Sequence, residues 1–485
     1  MRSSIRTAVA ALTLVLGVSG TAAAQALAKH PRVQEATALL EQWLDAEQAF
    51  KRLPGLSAAV IVDQDVLWQG AYGFADVARK VRATPTTLYS ICSISKLFTS
   101  VALMQLYEQG KVRLDDPVEN HLPWFQLKSD IHDQADVTVE GILTHAAGLP
   151  REAAYPYWST PFQFPTREQI QKAVSSQEML YRPETFWQYS NLGLTLVGEI
   201  VIAASGQTFD QYVRTNILTP LGLNDTYTDM PAAERGKRLA VGYGGYPRSG
   251  ERAILPFYQA NGIAPAAGFA STVLDLGKFA SWQFRLLDKG GSEVLQANTL
   301  RNMQRVHFQD PESQTTWGLG FSVSRTDNKV FVGHGGSCPG YRTQLTMRPT
   351  EKIAVATGIN AIDGPATPLA QRAYALMAPA ILAAQKDTAG KIQAADRSLD
   401  PYIGVYQSSF GGEVSVIRWE GGLASIFLPN DNPARAITKY RKVGEHTFKR
   451  IRDDGELAEA TTFDLDANGK VLRMRSNYNV MPRIR

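Results

Sequence analysis

Three short runs constrain this chain more than any bulk property does: Ser93-Ile94-Ser95-Lys96, Tyr189-Ser190-Asn191 and His334-Gly335-Gly336. Each is common alone. Their order and wide spacing make them read as pieces of one site. A serine three residues before a lysine places both side chains on one turn of a helix. The run that follows, with Leu97, Phe98, Val101, Leu103 and Leu106, is apolar nearly all round and stops at Gly110, so it predicts a buried helix over 93–109. Ser93 then stands at a helix N-terminus, where free N–H groups and the dipole favour negative charge. Lys96, walled by apolar residues, sheds its proton more readily and takes the serine's. The plain alternative is a surface serine and lysine paired by chance.

Tyr189 and Asn191 are two apart on an extended or looped segment, so their side chains reach the same side. A tyrosine beside an ammonium has a lowered pKa and relays a proton to a leaving group. An asparagine offers one donor and one acceptor to a substrate amide. The alternative is a loop tyrosine and a helix-capping asparagine. His334-Gly335-Gly336 falls at the end of a predicted strand, where glycines let a substrate backbone approach. The N–H of Ser337 would be a second oxyanion donor beside that of Ser93. A plain glycine turn is the alternative.

The 485-residue chain is long enough for two or three domains, and 44% hydrophobic residues with 39 Gly and 25 Pro describe a globular, loop-rich protein. Arg2 and Arg6, the apolar run Ala8 to Val18 and Ala22-Ala23-Ala24 read as a secretory signal over 1–24, predicting a periplasmic or secreted protein. The apolar run is too short to span a bilayer comfortably, so no transmembrane segment is expected in the mature chain. Losing the signal removes two arginines from a formal net charge of +4, leaving +2, which argues against nucleic acid as a partner. Seven histidines show no zinc spacing. Asp464-Leu465-Asp466-Ala467-Asn468-Gly469 resembles the start of a calcium loop, but its twelfth position is Arg475 rather than glutamate, so a hairpin turn is expected. No metal and no cofactor are therefore expected.

Hydrophobic periodicity predicts a helix from 25 to about 50, strands over 57–62 and 66–73, then mostly helix and loop from 111 to 310. Strands return at 318–324, 329–333, 344–348 and 353–359, followed by a helix over 368–384. The pattern is an antiparallel sheet whose first and last strands flank a helical insertion. Residues 386–400 read as a linker, and 401–485, with short alternating strands and turns at Asp453-Asp454-Gly455 and Asn468-Gly469, as a separate small β-domain.

With Leu143-Thr144-His145-Ala146-Ala147-Gly148-Leu149, Trp187-Gln188-Tyr189-Ser190-Asn191-Leu192-Gly193 and Ala267-Gly268-Phe269-Ala270-Ser271-Thr272, the three runs resemble the serine β-lactamase-related family of class C β-lactamases, D-Ala-D-Ala carboxypeptidases, D-aminopeptidases and esterases. The resemblance covers roughly residues 50 to 385. It implies an α/β (α+β) fold, a β-lactamase/transpeptidase-like antiparallel sheet flanked by helices with a helical insertion. It implies that Ser93 is acylated, that Lys96 and Tyr189 are the acid/base pair, and that Asn191 orients the acyl amide. The segment starting Tyr402-Ile403-Gly404-Val405-Tyr406 resembles the lipocalin-like appendage of some peptidase members. His145 is expected to be structural within its loop.

The expected function is an exported serine hydrolase of the peptidase or esterase kind, acting on a small-molecule or peptide substrate. A true β-lactamase, or a slowly acylated penicillin-binding sensor, is the alternative. His334 stands where many members carry lysine. A histidine mostly neutral above its reference pKa near 6.5 attracts a drug's carboxylate poorly, which disfavours penicillin hydrolysis. Only two cysteines exist, Cys92 before Ser93 and Cys338 after Ser337. The two oxyanion donors must approach one oxygen, which brings these neighbours close, and class A carbapenemases resemble this arrangement with a disulfide at the same flanking places. The alternative is two unoxidised thiols in contact. The sequence does not determine oligomeric state.

Overall fold

A computed structural model describes residues 22–129, 135–387 and 396–485. The expected signal segment, apart from its last three residues, and most of the expected linker lie outside them. Strands Gly55–Val62 and Asp65–Asp76 form a hairpin, and the first of them pairs antiparallel with Ile353–Ile359, in register from Leu56↔Ile359 to Val62↔Ile353. Tyr341–Arg348, Lys329–Cys338 and Ser322–Thr326 continue the sheet in order, with short edge pieces completing nine strands. The chain thus leaves the sheet after Arg82 and returns only at Phe308, and the helical insertion lies between.

Alternation along the central strands divides the core into two layers. Leu56, Ala58, Val60 and Val62 face the Pro31–Phe50 and Ala366–Lys386 helices, packing with Leu39, Leu40, Trp43, Leu369, Ala373 and Met377. Ala59 and Ile61 face the insertion, where Gly277 of the Val273–Lys289 helix lets that helix come within contact of Ile61. Both faces are covered, so the Gly55–Val62 strand is buried at every residue and reads as an unbroken apolar run. The helix expected from 25 is two helices, Ala22–Lys29 and Pro31–Phe50, because Pro31 cannot continue the first and fits the first turn of the second.

The C-terminal segment is a second sheet of eight strands in simple sequential order from Gly404–Gln407 to Asn479–Pro482. Val405 N donates to Arg485 O and Ile484 N to Val405 O, so the last strand returns to the first and the sheet is barrel-like. Tyr402, Tyr406, Phe448, Phe463 and Met474 fill its interior. Asp466 accepts from the N–H groups of Asn468 and Lys470, so the calcium-loop look-alike is a hairpin turn between strands. The barrel docks on the sheet's outer helical layer. Ile417, Ala424 and Ile426 join that core, Trp43 Nε1 donates to Asn430 O at 2.7 Å, and the Glu35 carboxylate accepts from the N–H groups of Glu420 and Gly421. Among the described residues no single helix is long and apolar enough to cross a membrane.

Candidate active site

The helix expected over 93–109 starts as a 3-10 turn, Cys92–Ile94, and runs as α-helix from Ser95 to Glu108. Cys92 adopts φ 51°, a left-handed conformation uncommon for a residue with a side chain, and this bend presents Ser93 at the helix entrance. Lys96 is fully buried. Its Nζ lies 3.2 Å from Ser93 Oγ and donates to Asn191 Oδ1 and to Ala266 O, both at 2.7 Å. Burial holds the Lys96 pKa well below the usual lysine range, with Glu152 pulling it back up and Arg151 pushing it further down. As an ammonium Lys96 donates to all three oxygens; on losing a proton it can keep its two hydrogens on Asn191 Oδ1 and Ala266 O and turn its lone pair to the Ser93 hydroxyl.

Asn191 is the first residue of the Asn191–Ser205 helix, and the cap is Ser190, whose side chain accepts from Gly193 N. Asn191 is therefore free of capping duty. Its Oδ1 faces Lys96 and its Nδ2 donates to Glu152 Oε1 at 2.6 Å. Tyr189 is half-buried, its hydroxyl bonded to the Ser93 side chain and its ring 4.8 Å from Lys96 Nζ, measured to the centroid. The sequence led to a lowered tyrosine pKa; the structure reverses the direction. Burial holds it above the usual tyrosine range, outweighing the Ser93 bond and Arg151. Tyr189 is thus a neutral phenol at working pH.

His145 was expected to be structural, and it holds this tyrosine in place. It caps the Val139–Thr144 helix in the left-handed conformation, accepts from Ser190 N through Nδ1, and lies 4.3 Å from the Tyr189 ring, centroid to centroid. Trp187 and Trp317 close the aromatic cluster around it. His334 is 5% exposed, and its Nδ1 donates to Gly335 O at 2.6 Å. Burial, with Lys96 adding to it, lowers its pKa to about 3, so the imidazole is neutral well below pH 6.5.

The strand carrying His334 extends to Cys338, five residues past its expected end. A Cβ on Gly336 would come within 2.3 Å of Ile91 O and 2.1 Å of Thr343 Oγ1, so only glycine lets this strand lie against the Ser93 turn. Gly335 is nearly as confined, its missing Cβ 2.9 Å from Gln344 Oε1. Cys92 and Cys338 are joined, Cα to Cα 5.7 Å, and Ser337 sits exposed between Gly336 and the bridge. The structure therefore gathers Ser93, Lys96, Tyr189, Asn191, His334 and the 335–338 strand end in one place. Sequence reasoning missed Glu152, Arg151 and the Ala266 carbonyl. Glu152 and Arg151 follow Pro150 in an irregular loop with no periodicity to mark them, and a backbone carbonyl leaves no trace in a sequence.

The chain matches the family model described as Beta-lactamase over residues 40–377. Protein flp of Staphylococcus aureus strain MW2 is 25% identical over 309 residues, 64% of this chain and 60% of that protein. This chain thus spans about 60% of the length of that relative. Among solved structures, the octameric penicillin-binding protein homologue from Pyrococcus abyssi superposes with a TM-score of 0.61 at 25% identity, covering 92% of this chain and 99% of that one. A D-stereospecific amidohydrolase from a Streptomyces species gives 0.58 at 23% identity, covering 69% and 97%, a likeness of fold.

Proposed function

The chain belongs to the β-lactamase family, and from that premise we propose that it is an exported serine hydrolase that forms an acyl-enzyme at Ser93 with amide, peptide or ester substrates. One observation carries the reading: the buried Lys96 nitrogen lies 3.2 Å from Ser93 Oγ and is also held by Asn191 Oδ1 and Ala266 O, so that once neutral it can keep its two hydrogens on those acceptors and offer its lone pair to the serine. Lys96 takes the hydroxyl proton as Oγ bonds to the carbonyl carbon. The carbonyl electron pair moves onto oxygen, which the N–H groups of Ser93 and Ser337 hold. Tyr189, a neutral phenol, passes its proton to the departing nitrogen or oxygen and regains one from Lys96. The bond to the leaving group then breaks, and water repeats the cycle on the acyl-enzyme.

A neutral His334 supplies no cation for a β-lactam carboxylate, which favours amides, peptides and esters over penicillins. The amidohydrolase named above makes D-amino acid amides a natural first substrate. The test is turnover of D-amino acid amides, D-Ala-D-Ala peptides, p-nitrophenyl esters and nitrocefin by the wild type and Ser93→Ala, with intact-mass detection of a Ser93 adduct. Turnover lost in Ser93→Ala supports the proposal. A stable stoichiometric adduct without turnover makes the protein a sensor, and equal turnover by both proteins removes Ser93 from the chemistry.

A further inference from the structure

Glu152 belongs to none of the three runs, yet it sits one side chain away from the reacting pair. Its Oε1 accepts from Asn191 Nδ2 at 2.6 Å and lies 3.4 Å from Arg151 Nε, and its Oε2 accepts from the Tyr157 hydroxyl at 2.5 Å. The Glu152 side chain is 18% exposed and Tyr157 is 1% exposed. Its own carbonyl accepts from Gln177 Nε2, which fastens the loop. We infer that Glu152 is a positioning residue that, through Asn191, fixes the orientation of the Lys96 amine toward Ser93. This rests on the proposed acyl-enzyme role of Ser93.

A carboxylate only accepts hydrogen bonds, so the Asn191 amide must turn its NH₂ to Glu152 and its oxygen to Lys96. The reverse rotamer would set Oδ1 against the carboxylate and leave Lys96 with one acceptor, free to rotate its lone pair away from Ser93. Glu152 also supplies charge. When the Ser93 O–H bond breaks and an N–H bond forms on Lys96, an ammonium appears in a buried site. The neighbours that bear on it are few. Arg151 repels it, His145 and His334 are held neutral by burial, Tyr189 is a phenol, and Glu152 is the anion. Removing that anion lowers the pH at which Lys96 gives up its proton.

Two variants separate orientation from charge. Glu152→Gln keeps an acceptor for Asn191 Nδ2 in the same space but loses the charge. Glu152→Ala loses both. In Glu152→Gln the acid limb of the kcat/KM profile should move to lower pH by about one unit, and the ¹⁵N resonance of Lys96 Nζ should titrate lower by the same amount. In Glu152→Ala, kcat/KM should fall about 100-fold, as expected for a misplaced reacting group. The NMR titration needs no turnover, so it reads the Glu152–Lys96 link even if Ser93→Ala shows that Ser93 is not the nucleophile. A Glu152→Gln protein whose Lys96 titrates as in the wild type overturns the inference. So does a folded Glu152→Ala protein within about twofold of wild-type kcat/KM; if that variant does not fold, the Glu152→Gln titration decides.

Discussion

Cutting the Cys92–Cys338 bridge should lower stability by an amount the chain length sets. The two cysteines are 246 residues apart. Freeing a loop that long restores to the unfolded chain about 18 cal/mol/K of entropy, worth about 5.5 kcal/mol at 25 °C. With an unfolding entropy of about 2.1 cal/mol/K per residue, residues 40–377 give about 0.7 kcal/mol/K, so the ceiling on the loss of Tm is about 8 °C. Residual structure in the unfolded chain reduces the entropy recovered, so a fall of about 4–8 °C is expected. The bridge also ties the Ser93 turn to the Ser337 strand, so acylation should slow as well. The assay is calorimetry of the oxidised and reduced wild type and of Cys92→Ala/Cys338→Ala, with thiols counted under denaturing conditions before and after reduction. Two free thiols in protein purified without reductant from an oxidising compartment would refute the bridge. A Tm lowered by less than about 2 °C once both thiols are demonstrably free would refute the loop-entropy reasoning.

Other perturbations probe the site directly. Lys96→Ala and Tyr189→Phe should each reduce kcat by several orders of magnitude, and the double variant by little more, because groups passing one proton act as a unit; strictly additive losses in single-turnover kinetics would separate them. Gly336→Ala should depress kcat/KM far more than it lowers Tm, since its Cβ must push the strand off Ile91 and Thr343, and an unchanged kcat/KM would show that the strand is not pressed against the Ser93 turn. His334→Lys should strengthen binding of carboxylate-bearing β-lactams at pH 8, measured as an inhibition constant; unchanged binding would mean that the side chain does not face that carboxylate. His145 and His334 both have pKa values lowered by burial. Below the free histidine pKa near 6.5 the unfolded chain binds protons that the folded one refuses. Stability is therefore full above pH 6.5 and falls toward the folded value of about 3 for His334, by up to about 1.4 kcal/mol per pH unit for each histidine. Denaturant titrations that give equal stability at pH 7 and pH 5 would contradict neutral burial.

Much of this protein was legible in its sequence because the deciding signals are local. The short, mostly apolar run of 353–359 reads as a strand from its own residues, and the Ser93/Lys96 pairing needs only one helical turn. Sequence also located Tyr189, Asn191 and the glycines of 335–336. It did not decide their chemistry, because pKa values and proton directions follow from what surrounds a group rather than from what precedes it. The tyrosine inferred to be acidified is instead held protonated, and the histidine placed near pH 6.5 is neutral down to about 3, since burial outweighs the neighbouring charges. The placement of the Lys96 amine depends on Asn191, 95 residues away, and on the Ala266 carbonyl, 170 residues away. Contacts of that range arise only when the helices of the insertion pack on one another, and no spacing within the chain encodes them.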